Sequence, residues 1–237
     1  MSALGVLPPV DAAIHADTTW ERTETYEFAK RWTPWLEERG VKVVTVQSHK
    51  TDVFTMREIM LPTHNAYDNG EASGTGHRQC TNHWKIRPIR RWAQQHRDRQ
   101  PVDQWLGITL DEIQRVKPAN VKYITNEYPF LDMTPPMRRG DVIRWLGDNG
   151  LEVPVKSSCI FCPYHDRYTW REVQLSGNGD WTKVMEVDEA IRHKRPGYTC
   201  YLTAARKPLN EIDFRTQEEH GQLGLWEQAE CSGMCFL

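Results

Sequence analysis

Apolar positions near the start of the chain follow a strand–helix–strand order. Residues 10–16 (VDAAIHA) are mostly apolar and lead into Asp17-Thr18-Thr19, which predicts a buried strand followed by a turn. Aromatic residues then recur at helical spacing through residues 22–39, with Pro34 as a predicted kink or break. The β-branched run 41–47 predicts a second strand. This order indicates a parallel sheet with crossover helices.

The rest of the chain adds helices, two short strands and one long loop. Residues 62–79 contain three glycines and two asparagines, and predict the long loop. Predicted helices and strands occupy residues 84–99, 107–108, 121–124, 139–148, 168–174 and 181–192. We therefore expect an α/β protein. Residues 1–150 form an open parallel sheet with flanking helices, and residues 151–237 form a cysteine-containing, mostly helical part that completes a metal site.

Composition and charge narrow the function classes. The 237 residues are 39% hydrophobic and 26% charged, so a packed core is expected. A formal net charge of −2 argues against a nonspecific nucleic-acid binder, so any nucleic-acid contact is local. The sequence shows neither a membrane span nor the basic start of a signal peptide, so we expect a cytoplasmic protein with no membrane partner. In that compartment the six cysteines are ligands or catalysts rather than disulfides.

The sharpest local signal is the C-x2-C pair of Cys159 and Cys162 within KSSCIFCP. Two thiolates at this spacing reach one metal from a single turn, and thiolates suit zinc or an iron–sulfur cluster. A redox dithiol or a chance pair is the alternative. Further ligands must come from elsewhere in the chain. The candidates are Cys80, Cys231, Cys235 and, for zinc, His165.

Two other cysteine-bearing segments have different predicted roles. The end of the chain, which carries Cys231 and Cys235, either brings a thiol onto a bound substrate or closes the metal site. Cys200 lies in a strand-like run and is predicted to be a buried, apolar thiol.

Polar residues of the kind found at nucleotide sites lie in two places. Asp17 and Thr18 follow the first predicted strand, where open α/β sheets place their ligands. Arg78 and Lys85 follow a glycine-rich approach and could cradle a phosphate or sulfate. The alternatives are a helix N-cap for the first pair and a solvated basic helix face for the second.

Taken in order, six segments resemble one family. They are HADTTWERTETY (15–26), RQCTNHWKIRPI (78–89), GITLDEIQR (107–115), YPFLD (128–132), KSSCIFCPYH (156–165) and ECSGMC (230–235). The set is similar to the phosphoadenylyl-sulfate (PAPS) reductase-like family of the adenine nucleotide α-hydrolase (N-type ATP pyrophosphatase) group. The resemblance covers nearly the whole chain.

The resemblance implies a role for each candidate residue. It implies an adenylate site at Asp17 and Thr18, with Arg78 and Lys85 facing the phosphate or sulfate of ATP or an adenylylated sulfate. The implied ligands of a 4Fe-4S cluster are Cys80, Cys159 and Cys162, with Cys231 or Cys235 as the fourth ligand or an open iron position instead. The family ends in Glu-Cys-Gly-Leu-His with a nucleophilic cysteine. Here only Glu230-Cys231 matches, which makes Cys231 the implied nucleophile.

The implied function has two versions and one rival. The protein either reduces an adenylylated sulfate or uses ATP to transfer sulfur to a base or nucleic acid. The partners are then a sulfur or electron donor protein and, in the transfer version, a nucleic acid held by the basic stretch 85–99. The rival is a zinc-stabilised, non-catalytic binding protein with a decayed nucleotide site. The family's Ser-Gly-Gly-x-Asp-Ser phosphate loop has no counterpart in the sequence given, which favours the rival. Alternatively, it indicates a start codon assigned too far downstream.

Overall fold

A computed structural model describes residues 1–57, 59–216 and 218–220. The helices are α1 (Thr23–Glu37), α2 (Arg87–His96), α3 (Pro129–Asp132), α4 (Arg139–Asp148), α5 (Arg167–Leu175) and α6 (Asp180–Ile191), and a π-helical segment, Thr81–Ile86, runs directly into α2. The strands are β1 (Ala13–Asp17), β2 (Val43–Gln47), β3 (His64–Tyr67), β4 (Ala72–Thr75), β5 (Val102–Trp105), β6 (Ile124–Glu127) and β7 (Tyr198–Tyr201). Short 3-10 helices lie at Ser2–Leu4, Leu110–Arg115, Leu209–Glu211 and Glu218–His220.

The strands described form three small sheets. β1 pairs in parallel with β2, and β5 pairs in parallel with β6. The third sheet is antiparallel, in the order β4-β3-β7. The α/β class with parallel strands is therefore confirmed, whereas a single open sheet stays a prediction. The boundary at residue 150 also stays a prediction.

The strand–helix–strand unit at the start of the chain is confirmed. β1 and β2 pair from Ala13 opposite Val43 to Asp17 opposite Gln47. α1 connects them and continues past Pro34, which removes one i→i−4 hydrogen bond near the end of the helix without terminating it. The parallel pairing brings the carboxyl ends of both strands to one edge, and the polar residues after β1 lie at that edge.

The predicted long loop at residues 62–79 is wrong, because β3 and β4 form a hairpin there. The turn between them contains Asn69-Gly70, the dipeptide most typical of tight hairpins, and Gly70 has a φ of +86°. The glycines therefore mark a turn and a strand rather than an open loop. β3 also pairs with β7, which carries Cys200, so this hairpin joins the C-terminal part of the chain.

Two other strands lie a few residues from their predicted places. β5 ends at Trp105 rather than including Gly107, and β6 begins at Ile124, where the prediction ended. β5 reads Val-Asp-Gln-Trp and stays partly exposed, so its hydrophobic pattern is weak. The predicted helices are confirmed to within a few residues.

The main core lies around the cysteine-bearing part of the chain. The largest fully buried side chains include Trp84, Phe161 and Ile160, whereas α1 and α4 bury no residue. Cys200 is fully buried in this core, which confirms that part of the prediction. The segment containing the C-x2-C pair is thus held in place by close apolar packing within the core.

A buried carboxylate joins the N-terminal unit to this core. Asp180, at the start of α6, accepts hydrogen bonds from Thr23 N at 2.9 Å and Thr23 Oγ1 at 2.8 Å, and is 2% exposed. It therefore caps the first turn of α1 from another helix.

We predict that Asp180→Ala lowers the free energy of unfolding by about 2–3 kcal/mol, because two hydrogen bonds to a charged acceptor are lost and the start of α1 is left uncapped. Urea denaturation measures this. Asp148→Ala removes an exposed carboxylate from the end of α4 and is the control, with an expected change below about 0.5 kcal/mol. Equal effects of the two substitutions would contradict the capping role.

Candidate site around the cysteine loop

The cysteine loop, residues 156–165, is fixed against the turn that follows β1. Ile160 N donates to Trp20 O at 2.7 Å, and Glu21 and Cys159 form an antiparallel bridge. The ring of Trp20 packs edge-on against Phe161, with centroids 5.0 Å apart. Two segments about 140 residues apart in sequence are therefore held in contact by backbone hydrogen bonds and aromatic packing.

The turn after β1 has a strained backbone. Thr19 has a φ of +64°, a left-handed conformation that a β-branched residue rarely adopts. Asp17 holds it there, because its Oδ1 accepts from Thr19 N at 2.7 Å. Strain of this kind is found preferentially at functional sites.

The strained turn directs the side chain of Thr18 into the protein. Thr18 is fully buried, and its Oγ1 donates to Glu21 Oε1 at 3.1 Å. The same oxygen lies 3.3 Å from Cys159 Sγ. Thr18, a predicted nucleotide-binding residue, and Cys159, a predicted metal ligand, are therefore direct neighbours.

Glu21 and Lys85 place opposite charges beside Thr18 and Cys159. The side chain of Glu21 is fully buried, and Lys85 Nζ lies 3.4 Å from its Oε1. Ser157 Oγ donates to Glu21 Oε2 at 3.0 Å. The carboxylate thus has two hydroxyl donors and one cation, as a buried charge requires.

The pKa values of Lys85 and Cys159 reflect this arrangement. Burial lowers the pKa of Lys85, but the charge of the Glu21 carboxylate and its hydrogen bond to Lys85 outweigh this effect, so the pKa is raised. Burial, together with Glu21, raises the pKa of Cys159, and Lys85 opposes this shift. The thiol is therefore protonated near neutral pH in the absence of a metal. A metal that displaces the proton would leave a thiolate beside the Lys85 ammonium.

The other predicted nucleotide residues lie close to this group without sharing all its contacts. Asp17 accepts from Thr19 N and from the hydroxyl of Tyr26 at 2.9 Å, so it shapes the turn. Arg78 places its guanidinium 5.2 Å from the ring centroid of Tyr164, within the cysteine loop. Arg78 therefore lies beside the cysteine loop, and its role in binding phosphate or sulfate stays a prediction.

The remaining predicted metal ligands differ in what the structure says of them. Cys80 precedes the π-helical segment that carries Lys85, and packs against the same core cluster as Cys159. His165 is buried and its Nε2 pairs with Ser158 Oγ at 3.1 Å; burial lowers its pKa to about 3, so it is neutral. Cys231 and Cys235 lie outside the described residues.

The described residues fit part of a metal-binding set. Cys159 and Cys162 lie on one tight turn, with Cys162 N donating to Cys159 O at 3.1 Å, and soft thiolates are the donors that zinc and iron–sulfur clusters take. Within residues 1–57, 59–216 and 218–220, no group of three His, Cys, Asp or Glu side chains is placed to hold a metal ion. A complete set therefore requires a further ligand to approach the pair.

Sequence reasoning missed two residues of this site, Glu21 and Ser157. Glu21 lies just beyond the first predicted strand, where an acidic residue is either a site candidate or a first-turn residue that counters the dipole of α1. The signal that could have found it is the spacing Thr18-x-x-Glu21, since a hydroxyl and a carboxylate three residues apart commonly form a reciprocal pair. Ser157 carries no signal of its own, because its contact depends on the tertiary fold.

Comparisons with family models, curated proteins and solved structures find no match to this chain. Among the residues described, none of the helices combines the length and apolar character needed to span a membrane.

Proposed function

We propose that this protein is a PAPS reductase-like enzyme of sulfur metabolism that carries an iron–sulfur cluster at Cys159 and Cys162. It acts in the cytoplasm on an adenylylated sulfate, or it transfers sulfur to a base or nucleic acid with ATP. The two parallel strand pairs belong, in this proposal, to one open sheet of the adenine nucleotide α-hydrolase type.

One observation carries the proposal. Thr18, Lys85 and Cys159 come from three separate segments, and Glu21 joins them: Thr18 Oγ1 lies 3.1 Å from Glu21 Oε1 and 3.3 Å from Cys159 Sγ, and Lys85 Nζ lies 3.4 Å from the same Glu21 oxygen. Residues chosen for nucleotide chemistry and residues chosen for metal chemistry thus meet at the carboxyl end of β1. In α/β proteins that position is where ligands bind.

The chain's own residues have distinct tasks in this proposal. Cys159 and Cys162 bind the cluster, and Lys85 offsets the negative charge of its thiolate ligands. Arg78 holds the phosphate or sulfate, since a guanidinium binds such groups in a bidentate manner. When bound, the cluster would supply thiolate-ligated iron beside the substrate.

The reductase version requires a nucleophilic thiol and a dithiol donor. The thiolate of Cys231 attacks the sulfur of the adenylylated sulfate, an S–S bond forms, and the S–O bond to the adenylate phosphate breaks. A donor protein of the dithiol class then attacks the cysteine sulfur and releases sulfite. This attack leaves a mixed disulfide between Cys231 and the donor. The donor's second thiol then attacks the donor sulfur of that bond, which forms the donor's own disulfide and releases the Cys231 thiol. The dithiol thus supplies both electrons that reduce the sulfate sulfur.

An anaerobic product assay tests the proposal. The protein is incubated either with radiolabelled adenylyl sulfate or PAPS and a thioredoxin-type dithiol, or with ATP, a persulfide donor and nucleic acid. We expect sulfite release in the first reaction or AMP release with sulfur incorporation in the second, and a loss of at least about 100-fold in Cys159→Ser. If metal-loaded, folded protein forms neither product, the proposal is wrong.

A further inference from the structure

The hydroxyl of Thr18 has two acceptors within reach and only one proton to donate. Its Oγ1 lies 3.1 Å from Glu21 Oε1 and 3.3 Å from Cys159 Sγ. The same oxygen accepts a hydrogen bond from Trp20 N at 3.3 Å. Because a hydroxyl carries a single proton, Thr18 can direct it to the carboxylate or to the sulfur, but not fully to both.

In the metal-free protein the hydroxyl proton points to Glu21. A carboxylate is a much stronger acceptor than sulfur, so Thr18 donates to Glu21 Oε1. The contact between Thr18 Oγ1 and Cys159 Sγ is then made by the thiol, which donates its own proton to a lone pair of the oxygen. The protons of the thiol and of the hydroxyl are thus both engaged.

A metal-bound Cys159 cannot make the same contact, because a thiolate ligand has no proton and can only accept. With the hydroxyl still directed at Glu21, a lone pair of Thr18 Oγ1 would face the thiolate sulfur at 3.3 Å. Thr18 is fully buried, so solvent does not reach this contact to replace it. A rotation of the hydroxyl about its Cβ–Oγ1 bond turns the proton to the sulfur and displaces no heavy atom.

The surroundings of Glu21 keep the cost of this rotation low. Lys85 Nζ lies 3.4 Å from Glu21 Oε1, and Ser157 Oγ donates to Oε2 at 3.0 Å. Each carboxylate oxygen therefore keeps a partner when the Thr18 proton turns away. The buried charge of Glu21 stays compensated in both arrangements.

We infer that Thr18 is a positioning residue of the metal site. Its hydroxyl donates to Glu21 in the metal-free protein and to Cys159 Sγ in the metal-bound protein, where the O–H···S bond orients and stabilises the thiolate ligand. This role is additional to the adenylate-binding role implied for Thr18. The inference rests on the metal site of the proposed function, yet it holds for zinc as for an iron–sulfur cluster, since the ligand is a thiolate in both.

The zinc affinity of the reduced, metal-free protein tests the inference, measured without nucleotide by competition with a chromophoric chelator. Thr18→Val keeps the branched side chain but removes the hydroxyl, and should weaken zinc binding by about tenfold. Thr18→Ser retains the hydroxyl and should restore the wild-type affinity. Thr63→Val is the matched control, with unchanged affinity, because Thr63 is equally buried and its hydroxyl donates to Asn65 at 2.8 Å rather than to a proposed ligand.

The reduction potential of the cluster gives a second readout that a merely structural role would not change. A hydrogen bond to a ligand sulfur favours the more negative, reduced cluster. In protein reconstituted with iron and sulfide, Thr18→Val should therefore lower the midpoint potential by about 59 mV, which corresponds to a tenfold change in a one-electron couple. Thr63→Val should leave the potential unchanged.

Three results would overturn the inference and leave the metal site intact. They are equal zinc affinity of Thr18→Val and wild type, equal losses in Thr18→Val and Thr63→Val, or a loss in Thr18→Ser as large as in Thr18→Val. Cys159→Ser supplies the baseline, and wild-type affinity no tighter than this baseline would overturn the metal site together with the inference. A protein that forms no cluster still gives the zinc comparison, so a failure of the cluster stays separate from a failure of the inference.

Discussion

Lys85→Met should lower the free energy of unfolding by about 3 kcal/mol, the scale expected when one partner of a buried ion pair is removed. The substitution leaves the Glu21 carboxylate, whose side chain is fully buried, without its cation. Among the residues that the structure describes, the hydroxyls of Thr18 and Ser157 then remain as hydrogen-bond donors to it. Urea denaturation of the metal-free protein measures the loss.

Two further variants isolate the cause of this loss. Adding Glu21→Gln to Lys85→Met removes the uncompensated charge and should recover at least about 1 kcal/mol. Lys183→Met is the matched control, because the side chain of Lys183 is 57% exposed and approaches Asp180 no closer than 3.9 Å. Its expected loss of unfolding free energy is below about 1 kcal/mol. If the double variant is no more stable than Lys85→Met, the uncompensated charge of Glu21 is not the cause of the stability loss.

Cys159→Ser and Cys162→Ser should each reduce the bound metal per chain by at least about tenfold, because serine oxygen is a poor substitute for a soft thiolate. Both thiols come from one turn of the cysteine loop, so losing either removes half of the ligands that this turn supplies. Metal content after anaerobic purification, per folded chain, is the measurement.

Cys200→Ala provides the matched control for these variants. Cys200 is fully buried in the core, so its truncation costs about 1 kcal/mol of stability but removes no proposed ligand. Its metal content should equal that of wild type. If Cys200→Ala loses as much metal as Cys159→Ser, general destabilisation rather than ligation explains the loss.

The hydrophobic pattern predicts the helices whose apolar residues recur at helical spacing. α1, α4, α5 and α6 repeat apolar residues at helical spacing, and the structure confirms them. The hairpin of β3 and β4 is missed because its strands, His-Asn-Ala-Tyr and Ala-Ser-Gly-Thr, are short and mostly polar. Glycine also occurs in turns and loops alike, so it does not distinguish the two. β5 and β6 are displaced because two-stranded sheets stay partly exposed and leave a weak pattern.

The sequence predicts several residues of the candidate site but not the contacts between them. The resemblance implies that Thr18 and Lys85 contact one ligand, yet no local pattern predicts that Cys159 lies beside them. Their meeting depends on the Ile160–Trp20 hydrogen bond and on the packing of Phe161, which are long-range features. Glu21 shows the same limit, since its burial follows from tertiary contacts that no local pattern encodes.

The central claim is that Cys159 and Cys162 hold an iron–sulfur cluster beside Lys85. It is tested most directly by anaerobic purification of the wild-type protein, a UV–visible spectrum, and iron, sulfide and zinc analysis. We expect a broad absorbance at roughly 400 nm, the charge-transfer region of thiolate-ligated cubane clusters, with sulfide in proportion to iron. A colourless protein that holds one zinc per chain, with no sulfide, would contradict the account and make the two cysteines structural ligands.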